Sequence, residues 1–414
     1  MYSTKVLVAQ LGARKHYQEP ALFHQWGILD RFYTDIYAGN NPIYNLLRHP
    51  KIYTYLPNSF KKALDRYEAS LQNANIIQFP IFGYQYIKAV KQSSLEEVSQ
   101  IFVWGAQQFC HKILQHGIGN INTIYGFNSA CLELFQYAKD RNIGCILDQT
   151  LADYSLVYKL LLEEEEKWIG WSLTPFKINN SDLKLMEREH HEQDLANHIV
   201  CGSSFVKDSL VARGVNANKI SVISLGRLKD EEPIDYQNLL SSPQQRGDEL
   251  KILFVGSVGL RKGIPYLLEA LSQIKGQIPF DCKVAGSLEI KSERIAEYSS
   301  ICEFLGRIPR SQVKDLYRWA DVFVLPSICE GSAMVTYEAL SLGVPIITTY
   351  NSGSLVRDGI DGFIVPIRDS EAIAEKLRKV YTTLYNNEIR KNSQEYLKQI
   401  LQTSENNLSE ILIK

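Results

Sequence analysis

The stretch Val322-Phe-Val-Leu-Pro-Ser-Ile-Cys-Glu330-Gly-Ser-Ala-Met-Val-Thr-Tyr-Glu338-Ala-Leu-Ser-Leu-Gly-Val-Pro345-Ile346 decides the fold. Val322–Leu325 is an unbroken apolar run, as expected of a strand buried on both faces. Pro326 ends it, a loop carries Glu330 and Gly331, and a helix is expected from about Ser332. A second apolar run follows at Pro345–Thr348. Working outward, strand-like runs recur at Ile252–Val255, Lys283–Ala285 and Gly362–Val365. Between them, Ile264, Leu267, Leu268 and Leu271 mark one buried helix face at i, i+3, i+4, i+7. Ile373, Leu377 and Val380 repeat the pattern, with Asp369 or Ser370 placed to cap the helix start. Alternating strand and helix predict a parallel sheet covered on both sides.

At 414 residues the chain is long enough for two such units. Candidate strands in the first half are Lys5–Ala9, Ile121–Tyr125, Cys145–Leu147, Ile199–Cys201 and Ile220–Ile223. Long helical stretches are expected near 95–115 and 152–167. The polar segment 229–249, with Pro233, Pro243 and Gly247, suits a linker. The expected organisation is therefore an N-terminal domain over 1–228, the linker, and a C-terminal domain over 250–385. The last helix, about 386–414, is expected to rejoin the first domain. Two doubly wound α/β units predict a cleft at the carboxyl ends of both sheets.

Composition is that of a soluble globular protein, with 45% hydrophobic and 22% charged residues. A formal net charge of −1 gives the whole chain no attraction to nucleic acid, and none is expected as a partner. Seven scattered cysteines, none in a Cys-x-x-Cys pair, argue against a disulfide framework or zinc site and for a reducing compartment. No run approaches the roughly 20 apolar residues that span a bilayer, and the N-terminus lacks the apolar stretch of a signal peptide. The expectation is a cytoplasmic protein, with peripheral contact at the inner membrane face left open.

Two segments carry candidate chemistry. The amides of Gly331, Ser332, Ala333 and Met334, at an expected helix start, suit a diphosphate or a developing anion. Glu330 and Glu338 lie eight residues apart, roughly 10 Å along a helix, comparable to the distance from a nucleotide's ribose to an attached sugar. The second segment is Phe254-Val-Gly-Ser-Val-Gly-Leu-Arg261-Lys262-Gly263. Its two cations could stabilise charge on a departing phosphate. The glycine spacing at 256, 259 and 263 fits neither a Gly-x-Gly-x-x-Gly fingerprint nor a P-loop.

Pro-Ser-x-x-Glu-Gly followed by Glu-Ala-Leu-Ser-x-Gly-Val-Pro-Ile-Ile resembles the signature of glycosyltransferase family 4, whose members have the two-domain GT-B fold. Phe304-Leu-Gly-Arg-Ile-Pro309 and Asn351-Ser-Gly-Ser-Leu-Val-Arg-Asp-Gly-Ile-Asp-Gly-Phe-Ile-Val-Pro366 fit the same pattern. The resemblance covers residues 199–385 well and the first domain faintly. It implies a retaining, metal-independent transferase with no cofactor, using a UDP-, GDP- or ADP-linked sugar as co-substrate. The hydroxyl acceptor would be a glycan, a lipid-linked species or a small molecule. By resemblance Glu330 contacts the transferred sugar, Glu338 the ribose hydroxyls, and backbone near Ile308 the base. Lys262 would neutralise the diphosphate. The chain departs from the family at Ser257, where an arginine is usual; Arg261 is the candidate replacement.

In the first domain, Gly12 follows the first strand where relatives place a glycine loop near the donor phosphates. Arg14, Lys15 and His16 face acceptor or solvent. The His-Asp pair of many relatives is absent, and Asp148 is the candidate strand-end carboxylate. Other features read as ordinary structure: Glu163–Glu166 as a solvated helix face, His190 and His191 as surface residues, Cys329 as loop filling, and Trp168 and Trp171 as packing. Two rivals to a transferase stay open at this level: a sugar-nucleotide epimerase of the same architecture, and a degenerate nucleotide-sugar or glycan-binding subunit.

Overall fold

A computed structural model describes residues 4–39, 42–56, 58–94, 96–224, 249–383 and 387–413. Nearly all of the expected 229–249 linker lies outside the described residues. The first sheet contains β1 (Val6–Gln10), β2 (Leu29–Thr34), β3 (Ile76–Gln78), β4 (Thr123–Phe127), β5 (Gly144–Gln149), β6 (His198–Cys201) and β7 (Ile220–Val222). The second contains β8 (Leu250–Val255), β9 (Phe280–Ala285), β10 (Glu303–Gly306), β11 (Val322–Leu325), β12 (Ile346–Thr349) and β13 (Gly362–Val365). Strand orders are β3-β2-β1-β4-β5-β6-β7 and β10-β9-β8-β11-β12-β13. Each paired strand runs parallel to its neighbour.

Both sheets are doubly wound. Strand order reverses between β1 and β4 in the first and between β8 and β11 in the second, which opens a crevice at each reversal. The central strands β1 and β11 are buried at every position, which is why they read as unbroken apolar runs. Strands β2, β3 and β10 escaped the sequence reading. Leu29-Asp-Arg opens β2 with two charged residues, β3 is a three-residue edge strand, and β10 begins with exposed Glu303.

Two segments cross between the halves. Ala152, Val157, Tyr158, Leu160 and Trp171 all precede the second sheet, which begins at Leu250, yet share its hydrophobic core. The helix Tyr154–Lys167 that carries three of them ends in Trp168, whose ring lies 5.0 Å from Trp171 and 5.3 Å from Tyr266. The second crossing is the terminal helix Asn387–Leu412. Its Leu397 and Leu401 join the core of the second sheet, while Leu408 and Leu412 join a core of the first.

The expectation of a solvated Glu163–Glu166 face is corrected here. Glu164 is fully buried. It accepts a hydrogen bond from the Tyr266 hydroxyl at 2.8 Å and pairs with Arg368, which also reaches Glu163 at 2.9 Å. Glu165 accepts from the Ser172 hydroxyl and the Phe176 amide. Only Glu166 is exposed. The packing of this helix against the second sheet, invisible to local pattern, overrides its charge.

Removing one partner of a buried ion pair strands the other. Glu164→Ala is expected to cost about 3 kcal/mol in chemical denaturation, whereas Glu166→Ala should stay within about 0.5 kcal/mol.

Candidate functional site

The loops after β8 and β11 meet at the second sheet's switch point. Past β8, Leu260–Lys262 forms one 3-10 turn that closes on Gly263 at φ +69°. A Cβ at Gly263 would sit 2.0 Å from the Pro326 carbonyl oxygen, so only glycine allows the two loops to press together. The Ile328 amide donates to the Arg261 carbonyl at 2.9 Å. From the other side, the Glu330 amide donates to the Asn351 carbonyl at 2.9 Å, and the Asn351 side-chain amide to the Ile328 carbonyl at 2.7 Å.

This stitching delivers three charged side chains to one point. Glu330 is 8% exposed and accepts from Lys262 Nζ at 2.6 Å and Arg261 Nη1 at 2.8 Å. Burial lowers the proton affinity of Lys262, and the Glu330 carboxylate opposes that effect. Burial acts on Arg261 in the same sense, but there Glu330, Cys329 and Glu289 outweigh it and raise the guanidinium above its ordinary value. Both cations share one carboxylate, so the cluster keeps a surplus of positive charge. Cys329 is fully buried, and its thiol is pushed up to about 12 by burial, consistent with loop filling. Ser257 is half-buried in the same loop, its carbonyl accepting from the Gly259 amide at 3.0 Å.

The expected anion-binding helix start needs correction. The helix is Met334–Ser341, with Ala333 as its N-cap, and the Ala333 amide is already given to the Ser352 carbonyl at 3.0 Å. Gly331 and Ala333 are buried, Ser332 is half-buried with its hydroxyl 2.5 Å from the Tyr337 hydroxyl, and Met334 is exposed. Glu338 lies on that helix, half-buried, with the Tyr317 hydroxyl 3.3 Å from its Oε2. Burial, then Glu338, pushes the Tyr317 phenol well above its ordinary value, so it stays a hydrogen-bond donor. Ile308 is half-buried just past the end of β10.

The first sheet presents its own switch-point loop. Gly12 (φ +85°) gives its amide to Asp35 Oδ1 at 3.0 Å, which removes that amide from any ligand. Lys15, His16 and Tyr17 follow with φ of 44°, 50° and 64°, three consecutive side chains in the left-handed region. Such strain persists where surrounding structure over-determines it. Here the constraint is Lys15, whose ammonium bridges Asp148 at 2.7 Å and Glu19 at 2.9 Å. Burial opposes the Lys15 charge, but the two carboxylates prevail and raise its proton affinity. Asp148 is fully buried and also accepts from the Tyr125 hydroxyl at 2.7 Å. It is therefore neither an open cleft acid nor a cap, but an anchor for the loop. His16 stands exposed at the loop's tip.

The two halves touch at Gly331. Its carbonyl accepts from the Ser203 hydroxyl at 2.5 Å, and a Cβ there would lie 1.8 Å from the Thr150 carbonyl oxygen. Tyr350 reaches across to Asp208 at 2.6 Å.

Sequence reasoning missed a buried acidic set on the helix Asn180–Leu195. Arg188, Glu189, Glu192 and Gln193 are all buried. Glu189 accepts from Asn128, Gln149 and the Tyr154 amide, and Glu192 from the Cys131 amide at 2.9 Å. His191 is exposed as expected, but His190 is half-buried and 3.1 Å from Asp153. The available signal was spacing: Arg188, Glu189, Glu192 and Gln193 share one helix face.

Comparison with known proteins places these loops in context. Residues 235–399 match the model of glycosyl transferases group 1. The amylovoran biosynthesis glycosyltransferase AmsK of Erwinia amylovora is 26% identical over 41% of this chain and 44% of its own length. The capsular polysaccharide biosynthesis glycosyltransferase CapM of Staphylococcus aureus is 30% identical over 45% of this chain and 52% of its own. The chain thus matches about half the length of these relatives. Across the whole chain, the structure of Anabaena HepE in complex with UDP and glucose aligns with a TM-score of 0.56 at 16% identity, covering 99% of each. The architecture is GT-B, and the chain resembles the group 1 glycosyl transferases.

Burial pushes Glu189 up to about 8 and Glu192 up to about 7, from 4.5. Between 4.5 and those values the folded protein holds protons that the unfolded chain has released, so these groups cost stability as pH rises. Melting temperature followed from about pH 5 to about pH 8 should fall more steeply in wild type than in Glu189→Gln.

Proposed function

We propose that this chain is a retaining glycosyltransferase of polysaccharide or glycolipid synthesis, moving a sugar from a nucleoside diphosphate to an acceptor hydroxyl. The observation that carries the reading is the Glu330 carboxylate held between Lys262 and Arg261 at the second sheet's switch point. Two buried or half-buried cations against one carboxylate form a site already charged for a diphosphate, and preorganised charge costs no reorganisation during reaction. That charge makes a metal unnecessary in the proposed step.

The reaction breaks the bond between the anomeric carbon and the bridging phosphate oxygen, whose electron pair stays on the diphosphate. Lys262 and Arg261 stabilise that developing charge. The acceptor oxygen attacks from the face the diphosphate vacates, forming the new glycosidic bond with retention. Its proton passes to a phosphate oxygen. Glu330 orients the sugar hydroxyls and keeps both cations in place, while Glu338, about one turn into its helix, suits the ribose. HepE binds UDP and glucose, which supports a nucleotide-sugar donor; UDP, GDP and ADP are the candidates to test. His16, exposed on the opposing loop, is placed on the acceptor side in this reading.

Glu330→Gln should abolish transfer while nucleotide still raises the melting temperature. Full activity in that variant would remove Glu330 from the chemistry. Arg261→Ala should lower kcat by about 10²–10³-fold. Glu338→Ala should lose the thermal shift given by the preferred nucleotide among UDP, GDP and ADP; at 100 times its dissociation constant that ligand adds roughly 2.7 kcal/mol. Turnover of the donor without any acceptor, yielding an epimeric nucleotide sugar, would favour the epimerase instead.

A further inference from the structure

Cys282 and Cys302 are both buried, 2% and 5% exposed, and their sulfurs lie 3.7 Å apart. Strand register explains the meeting. β10 runs parallel to β9 with Glu303 opposite Lys283 and Phe304 opposite Val284, so one residue back Cys302 faces Cys282. Neighbouring strands are about 4.8 Å apart, inside the roughly 4.4–6.8 Å between Cα atoms that a disulfide spans. A bond needs the two sulfurs to close to about 2.05 Å. β10 is an edge strand, held on one side only, and can make that movement.

A cavity of about 600 Å³ opens beside the pair and has both cysteines in its lining. Lys275, Pro279, Ser299 and Glu303 also line it and are exposed, so the cavity meets solvent. Its volume is within the range of small-molecule sites. Glu249, Asp281 and Glu303 outnumber Lys275 around it, which suits a neutral reagent better than an anionic one. A buried cysteine commonly serves as small apolar filler, as Cys329 does at the candidate site. A second sulfur within reach and an open cavity set this pair apart.

We propose that Cys282 and Cys302 are a redox modification site, closing reversibly to an intrachain disulfide that ties the edge strand β10 to β9. The oxidant is a neutral disulfide of low molecular weight. Cys302, then burial, raises the Cys282 thiol well above its ordinary value, so Cys302 attacks first. Its sulfur, having given its proton to water, bonds to one reagent sulfur while the other leaves with the electron pair and takes up a proton. The Cys282 sulfur then displaces the second reagent thiol in the same way. Two protein thiols are oxidised, and one reagent disulfide is reduced to two thiols. A bond between neighbouring strands departs from relaxed geometry and is readily reduced, as suits a reversible switch rather than a structural staple. β10 ends at Gly306, whose carbonyl accepts from the Gly286 amide at 2.8 Å, and the chain runs on to Ile308. The bond therefore steadies the strand that delivers Ile308. The inference is independent of the transfer reaction.

The test treats the folded full chain with hydroxyethyl disulfide, quenches in acid, alkylates the remaining thiols after unfolding, and maps peptides by mass spectrometry. The expected product is a peptide pair joined through Cys282 and Cys302, two hydrogens lighter than the reduced pair, which 2-mercaptoethanol separates again. Amide hydrogen exchange over 303–306 should slow several-fold in the oxidised protein. It should not slow in Cys302→Ala given the same reagent, where no joined pair forms. The mapping is made on wild type, so a less stable variant does not affect it. Both thiols alkylated after treatment, a mixed disulfide left standing on either cysteine, or a joined pair formed only in denaturant would overturn the proposal. So would a bond that leaves exchange over 303–306 unchanged.

Discussion

One carboxylate shared by two cations sets the terms for everything around it. Glu330, Lys262 and Arg261 come from two loops that no local sequence rule brings together, and each loses hydration by burial. A removed partner would leave a charge with no counterpart. The loops are therefore fixed by main-chain bonds, Ile328 to Arg261 and Glu330 to Asn351, and by Gly263, which admits Pro326 where a side chain would collide. The sheet's strand order is what makes the meeting feasible, since β8 and β11 are adjacent and their following loops leave in opposite directions.

The first half answers this rigidity with a different device. Its loop holds three left-handed side chains in succession, and a half-buried lysine paired with two fully buried carboxylates keeps them there. Asp148 and Glu19 thus serve the loop rather than a ligand, while His16 is left outward at the crest. Across the gap, Gly331 lies against Thr150 and Ser203 with no room for a methyl group. The backbone of one half is then a wall of the other half's site.

Much of the second domain was legible because its signals are local. Buried parallel strands appear as unbroken apolar runs, helices as 3.6-residue periods, and the Glu330 and Lys262 segments as loops after strands. The structure brings Glu330, Lys262 and Arg261 together as a cluster, with Arg261 within hydrogen-bond reach of the Glu330 carboxylate. What was illegible depends on long-range packing. Glu164 looks like one of four solvated glutamates until Tyr266 and Arg368, more than a hundred residues away, close over it. Glu189 and Glu192 look like surface charge until strand ends supply their donors. The helix boundary near Ser332 shifted because Ser352 claims the Ala333 amide, a partner that local sequence does not reveal.

The terminal helix has a mechanical consequence. Leu401 is seated in one core and Leu408 in another, about 10 Å apart along a single rod. A rod gripped at both ends resists stretching and shear, and its span between the two cores is continuous helix with Ser404 buried. With the crossing at 152–171 and the contact at Gly331, the helix makes a third tie between the halves, so parting them would expose apolar side chains of both cores.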